Sequence, residues 1–351
     1  MYTAWVPQAE YLQYGGQAII EGVMMRSPRY FAIACRAPNG AIVLQTEALE
    51  KTWIGRQKWL KLPFLRGTFA LLDAMALGIR AMRFSSHVQL DEVHQKPLEA
   101  GQVAPKTPSK SVQNLAIAGA MVAGLAIGIL VFNVLPNALS QWLGGRVSDL
   151  AKNYLSEIIK MIAFFGYIWG ISRMPEIREV FRYHGAEHKA INTLEAGQAL
   201  ESENCQIQTR LHPRCGTSFA VIVLLVGFLL FPLVPRNPFG LDNQVLVVLT
   251  RVAMELLILP IVAGISYEAL RFAGKFRNQR WVMAAFRPGL WMQLITTQEP
   301  NDAQVDVALA ALKAVVKAEQ TGELATDLTQ IEIVELDREV LEGVGAPTAT
   351  A

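Results

Sequence analysis

Three of the chain's five histidines and two of its three cysteines fall between positions 184 and 215. The cluster begins at Tyr183-His184-Gly185-Ala186-Glu187-His188-Lys189 and resumes at His212-Pro213-Arg214-Cys215-Gly216. Residues four apart on a helix share a face. His184 and His188 would therefore aim two imidazoles at one spot, and Glu187 would lie beside them. His-x-x-Glu-His is the inverted form of the zinc-protease helix, in which two ligands accompany a carboxylate that takes a proton from water on the metal. His212 and Cys215 add one nitrogen and one sulfur donor. The expected metal set is His184, His188, His212 and Cys215, with zinc the occupant such a set favours and other divalent transition metals compatible. Glu187 is the expected catalytic base. Four protein ligands would close a structural site, whereas three would leave a position for water. The five-residue pattern alone also fits a polar helix face with two solvated histidines. The nearby His-Pro-Arg-Cys moves the balance toward metal.

The elements that must position these residues follow from local signals. Pro175 and Gly197 bracket a helix over 176–196. Upstream, Gly15 to Arg26 reads as a strand and turn, and its glycine pair permits a tight backbone path. Glu21 in that stretch is either solvated or, with Gln17, able to reach the metal site; it is the second candidate catalytic residue. Tyr30 to Cys35 and Ala41 to Gln45 flank Pro38-Asn39-Gly40, a hairpin signal. Cys35 is expected to pack in its strand. Trp53 to Lys61 is basic and aromatic, as at a membrane surface. Phe64 to Phe84 is apolar at helical spacing but interrupted by Arg66, Asp73, Arg80 and Arg83, which suits an interfacial amphipathic helix. His87 to Lys110 reads as a linker with solvated His87 and His94.

Composition favours a membrane protein. Hydrophobic residues make up 52% and charged residues 18% of 351, and the mean hydropathy is +0.27. The net charge of +2 is too small to indicate nucleic acid. Three cysteines without a paired framework suit a reducing compartment. The start lacks a basic segment followed by an apolar core, so no cleaved signal peptide is expected. Ser111 to Gly145 is free of charge, and Leu115 to Leu135 can cross the ~30 Å apolar layer. Tyr154 to Ser172 is a weaker span, with Glu157 and Lys160 expected at the headgroups. Cys215 to Pro235 is a clear third span. Val245 to Ala269 is a fourth, in which Arg251 and Glu255 can pair and Pro260 can kink the helix.

Segments 1–110 and 173–214 carry nineteen Lys and Arg residues, whereas 137–152 and 236–246 carry three. The positive-inside bias then predicts cytoplasmic termini and a cytoplasmic metal loop. Glu268, at the cytoplasmic end of the fourth span, is a weaker alternative ligand. Trp281 and Trp291 are candidate interface anchors. Asn301 or Asp302 can cap a helix through Glu319, and the acidic tail 320–351 is expected to be disordered.

With these residues laid out, the chain resembles the bacterial integral-membrane proteins of the DUF1385 family, which are labelled predicted metal-dependent enzymes. The matching stretches are GGQAIIEGVMMRSP (15–28), PFLRG (63–67), YHGAEHKAIN (183–192), HPRCGTSF (212–219), PIVAGISYEALR (260–271) and PGLWMQLITTQEP (288–300). The resemblance implies a cytoplasmic-facing head on a small helical membrane domain, and it adds weight to Glu21 as part of the site. It implies a bacterial inner-membrane location, or a thylakoid one in a photosynthetic lineage.

The expected fold is mainly α: about four transmembrane helices, an interfacial helix, and a small α+β head with a β-hairpin and the His-x-x-Glu-His helix. Its expected divisions are 1–62, an N-terminal segment with the hairpin; 63–110, the interfacial helix and linker; 111–172, spans one and two; 173–216, the metal loop; 217–272, spans three and four; 273–319, a C-terminal segment with a helix; and 320–351, the tail. The expected function is a zinc-dependent hydrolase at the cytoplasmic membrane surface, acting on a membrane protein or a lipid-linked amide or ester. The alternatives are a zinc-stabilised assembly factor, a small transporter, or a thiol enzyme using Cys215 at a helix N-terminus. The sequence leaves oligomeric state open, since Gly119, Ala120, Ala123 and Gly124 can serve packing within or between chains.

Overall fold

The computed structural model describes residues 14–49, 64–90, 110–143, 145, 147–276 and 279–324. The readings of Trp53 to Lys61, of His94, of the first thirteen residues and of the tail beyond 324 lie outside them.

The N-terminal stretch forms a four-stranded antiparallel meander: β1 (Gly15–Ile19), β2 (Gly22–Arg26), β3 (Tyr30–Arg36) and β4 (Ile42–Ala48). The expected hairpin is its second half. The first half closes through Ile20 and Glu21, and Glu21 adopts φ +52°, the left-handed geometry that two-residue hairpin turns demand. Alternation along the strands gives the sheet two apolar faces. Val23, Met25, Ala32 and Ala34 pack toward α5 (Pro175–Glu195) and α10 (Asp302–Thr321). Met24, Phe31 and Ile33 pack on Leu77 and Ala81 of α1 (Leu65–Leu90). The sheet is thus a middle layer between helices. α1 runs farther than the spacing suggested, so His87 sits in its last turn rather than in a linker.

Among the described residues, four helices are long and apolar enough to cross a membrane. The first combines α2 (Lys110–Ile129), a π-helical turn (Leu130–Val134) and α3 (Leu135–Leu143). Pro136 has no N–H to donate, and the ladder widens just before it. The others are α4 (Asp149–Ile171), α7 (Gly216–Leu230) with a 3₁₀ turn to Leu233, and α8 (Gln244–Lys275). Arg251 and Glu255 pair within α8 as expected, at 2.8 Å. Glu157 and Lys160, however, are buried and joined to Glu255 rather than placed at headgroups. α4 starts at Asp149, five residues before the expected span, which draws this pair two turns into the bundle.

Outside the four apolar helices lie the short α6 (Ser202–Gln206) and the 17-residue α9 (Arg280–Thr296). The second was not expected, and it packs along α7. Trp281 and Trp291 are exposed on it. α10 begins with a capping box, in which Asn301 accepts from the Gln304 N–H and Gln304 from the Asn301 N–H, and it ends at left-handed Gly322.

Candidate metal centre

α5 carries the first part of the site. Pro175 opens it at a position where a missing N–H costs nothing, and it ends ahead of Gly197 at φ +65°. The predicted helix is displaced by one residue at each end. His184 and His188 stack with ring centroids 4.5 Å apart. Their other nitrogens are occupied. His184 Nδ1 lies 2.8 Å from the Thr296 carbonyl and His188 Nδ1 lies 2.6 Å from the Arg210 carbonyl. Each carbonyl can only accept, so each ring donates from Nδ1, which leaves Nε2 to face the cluster. A metal-ligating histidine needs this arrangement.

Cys215 supplies the third donor. It is the N-cap residue of α7, where its sulfur accepts from the Thr217 N–H at 3.4 Å. His184 Nε2 lies 3.1 Å from that sulfur. Donor atoms of His184, His188 and Cys215 all fall within 4.8 Å of one another. Zinc bonds of about 2.0–2.3 Å in a tetrahedron separate ligand atoms by about 3.3–3.8 Å, so the trio fits a metal with small side-chain closure.

His212 stands beside the trio rather than in it. Its ring centroid is 5.7 Å from that of His188. The ring is buried, and its Nε2 faces Glu195 Oε1 at 3.5 Å without a hydrogen-bond partner among the described residues. Glu195 also pairs with Arg214. Burial raises the Glu195 carboxyl, but His212 and Arg214 outweigh it and hold the group below its usual range.

Glu187 is 4% exposed, and its Oε2 lies 3.4 Å from His188 Nε2. Burial pushes its carboxyl above the usual range, against the pull of His184, His212, a hydrogen bond from the Gly16 N–H and Arg214. Gly16 is what the glycine pair provides. A Cβ there would sit 2.7 Å from the Met24 carbonyl oxygen and 2.8 Å from Glu187 Cγ, so the strand touches Glu187 through bare backbone.

The same strand sends Gln17 the other way. Gln17 Nε2 donates to the Ala74 carbonyl of α1 at 3.1 Å, so it does not serve the cluster. Glu21 accepts from the Tyr183 hydroxyl at 3.1 Å, on the sheet side of α5. Burial, with Glu21 adding, pushes the Tyr183 phenol up. Glu268, the alternative ligand, is committed to Arg66, with Nε at 2.6 Å. Cys35 is fully buried in β3, its thiol pushed up to about 12 by burial. Cys205 is buried beneath Thr193, which donates to it at 3.2 Å.

Two groups that pattern reading did not single out complete the site. Gln293 of α9 accepts from the His212 N–H and donates to the His212 carbonyl and to Ser218 Oγ, each at 2.8 Å. The extended residues after α9 lie against α5 so closely that a Cβ on Gly185 would collide with the Gln298 carbonyl oxygen. Both lie within PGLWMQLITTQEP, where the only signal was resemblance.

A family described as "Protein of unknown function (DUF1385)" matches residues 62–318. The chain belongs to the DUF1385 family. "Uncharacterized protein YqhQ" of Bacillus subtilis (strain 168) is similar to it, 36% identical over 316 residues that cover 88% of this chain and 94% of that protein. No solved structure matches. The DUF1385 match spans α1, the four apolar helices, the His/Cys cluster and most of α10, while β1 and its Gly16 precede it.

Proposed function

We propose that the protein is a membrane-embedded, metal-dependent hydrolase working at the cytoplasmic membrane surface, with zinc in the set His184, His188 and Cys215. The observation that carries this reading is the position of His212. Three donors converge while the fourth expected ligand stands off toward Glu195, and three protein ligands are the catalytic pattern. A closed structural site would need His212 Nε2 inside the set.

Zinc held there would act as a Lewis acid and bring the pKa of a water to about 7. The chain's own residues do the rest. Glu187, desolvated and held by the Gly16 N–H, takes the proton of the attacking water as its oxygen bonds to the substrate carbonyl carbon. The same carboxyl then delivers that proton to the leaving nitrogen or oxygen as the acyl bond breaks. Thr296 and Arg210 carbonyls keep both imidazoles in the ligating tautomer. His212 Nε2 faces Glu195 Oε1 at 3.5 Å, and the charged pair of Glu195 with Arg214 would steady it beside the metal set.

The substrate class is a membrane-protein segment or a lipid-linked amide or ester. Cys215 begins an apolar helix long enough to span a membrane, which would set the site at the level where such groups arrive. The positive-inside bias supports a cytoplasmic face.

The test joins metal analysis to a substrate screen. Detergent-purified protein with about one zinc per chain, hydrolysing a lipid-linked ester or amide, with Glu187→Gln retaining zinc and losing turnover, bears the reading out. Full activity in Glu187→Gln removes Glu187 from the mechanism, and metal-free protein removes the hydrolase.

A further inference from the structure

A second polar centre lies within the apolar helices. The buried residues of α4 are Asn153, Ser156, Glu157 and Lys160. They follow one another at i, i+3, i+4 and i+7, so α4 turns a polar stripe inward. Asn137 of α3 and Arg251 and Glu255 of α8 meet that stripe, each 1% exposed or less. Lys160 Nζ lies 2.9 Å from Glu157 Oε1 and 2.5 Å from Glu255 Oε2. Arg251 Nε donates to Glu255 at 2.8 Å, and its other nitrogens bind the carbonyls of Val234 and Phe231. Lys160 and Arg251 face the two carboxylates, and a third buried cation, Arg236, donates to Asn153 Oδ1 at 3.1 Å. Ionisable groups inside a span are costly to keep there, and they mark ion and proton sites by default.

The unused capacity of this centre is two amide oxygens, which only accept, and one hydroxyl, which can do either. Asn137 Nδ2 donates to the Asn133 carbonyl at 3.0 Å and to Glu255 at 3.3 Å. Its Oδ1, the Oδ1 of Asn133 and the Oγ of Ser156 are buried with no hydrogen-bond partner among the described residues. Asn137 and Ser156 are fully buried. Asn133 rides on the π-helical turn, a feature that recurs at functional positions. The two amide oxygens can only accept, and a proton placed on a carboxylate supplies a donor without needing space of its own.

We propose that this centre is a proton-binding site within the membrane, with Glu157 as the acceptor. Glu157 has Lys160 as its ion-pair partner, whereas Glu255 is held by Lys160, Arg251 and Asn137 together. The proton forms an O–H bond on the Glu157 carboxylate, and Lys160 stays charged against Glu255. The new O–H can donate to one of the centre's spare oxygens, Ser156 Oγ among them. Release reverses these steps. The charged groups around Glu157 are Lys160 from α4 and Glu255 and Arg251 from α8, with Arg236 at the mouth.

A hydrogen-bonded series links the centre to one surface. Arg236 donates to the Asn137 carbonyl at 2.8 Å and to Gln141 Oε1 at 2.8 Å, and Gln141 donates to exposed Gln244 at 2.6 Å. In the other direction α7 buries Val221 and Ile222. The His/Cys cluster caps the start of α7, and this centre binds the carbonyls just past its end. Proton exchange therefore takes place with the face opposite the metal site.

Infrared difference spectroscopy of the full chain in liposomes tests this. Acidification should produce the carbonyl stretch of a neutral carboxylic acid that is lost in Glu157→Gln, kept in Glu255→Gln and shifted in Ser156→Ala. Because Ser156→Ala changes no charge, it preserves the test if a glutamate variant fails to fold. A wild-type spectrum with no such buried-acid signal overturns the proposal, as does a signal unchanged by Glu157→Gln.

Discussion

His184 Nε2 and Cys215 Sγ lie 3.1 Å apart across thirty-one positions of sequence, one on a helix face and the other at the N-cap of an apolar helix. This contact joins the sheet-and-helix layer to the helices of the bundle. A metal held by both residues would tie α5 to the start of α7, so its binding would be coupled to that junction.

From this contact, His184→Ala, His188→Ala and Cys215→Ala should each drop zinc from about one per chain to near none by mass spectrometry. His212→Ala should keep most of it, because its nitrogen stands outside the trio. Equal loss in all four variants would instead favour a closed four-ligand site.

Gly16→Ala drives a methyl group into the Met24 carbonyl and Glu187 Cγ. Overpacking of this kind costs about 1–3 kcal/mol, so the thermal midpoint should fall. Zinc content should stay, because Gly16 touches the base and not the ligands. Activity should fall toward that of Glu187→Gln, for which loss of a general base predicts roughly 10²–10⁴-fold.

Gln293→Ala should weaken zinc binding by roughly 10–100-fold, the usual effect of removing a group that orients a site. The amide pins both backbone groups of His212, two residues after Arg210, whose carbonyl orients His188. Competition with a chromophoric chelator reads the change. An unaltered affinity would leave Gln293 a packing role only.

Acid should loosen the head through Glu319. This carboxylate receives Ser27 Oγ at 2.6 Å and Arg29 Nε at 2.6 Å, which ties α10 to the β2–β3 turn. Burial raises its pKa, but the bonds from Ser27 and Arg29 outweigh burial and hold it below the usual range. A depressed folded pKa gives stability that is present above the unfolded value of about 4.3 and lost as pH falls through the folded one. Glu319→Gln should therefore be less stable than wild type at neutral pH, by about 1–3 kcal/mol, and the gap should close in acid. A gap independent of pH would assign the loss to packing.

Glu21→Gln should leave zinc and turnover unchanged and alter only the Tyr183 contact, because the carboxylate meets that phenol on the sheet side of α5. Loss of activity with zinc retained would return Glu21 to the catalytic set.

Local spacing was enough to place the helix of His184 and His188, the cap of α10 at Asn301 or Asp302, the β3–β4 hairpin and the four apolar helices. Each depends on signals within one or two turns of chain: a proline before, a glycine after, a run without charge. Which donors meet was a different matter. His212 and Cys215 were equal candidates by type and distance along the chain, and only the start of α7 brought Cys215 to 3.1 Å from His184 while Gln293 held His212 aside. Gly16, not Gln17, reached Glu187, because strand alternation turned Gln17 to α1 once the sheet lay between two helical layers. Glu157 and Lys160 moved from an expected headgroup position into the bundle when Glu255, ninety-five residues beyond Lys160, offered a carboxylate there. A sequence carries periodicity along the chain. The direction of a side chain across it is settled by which buried surface it must join.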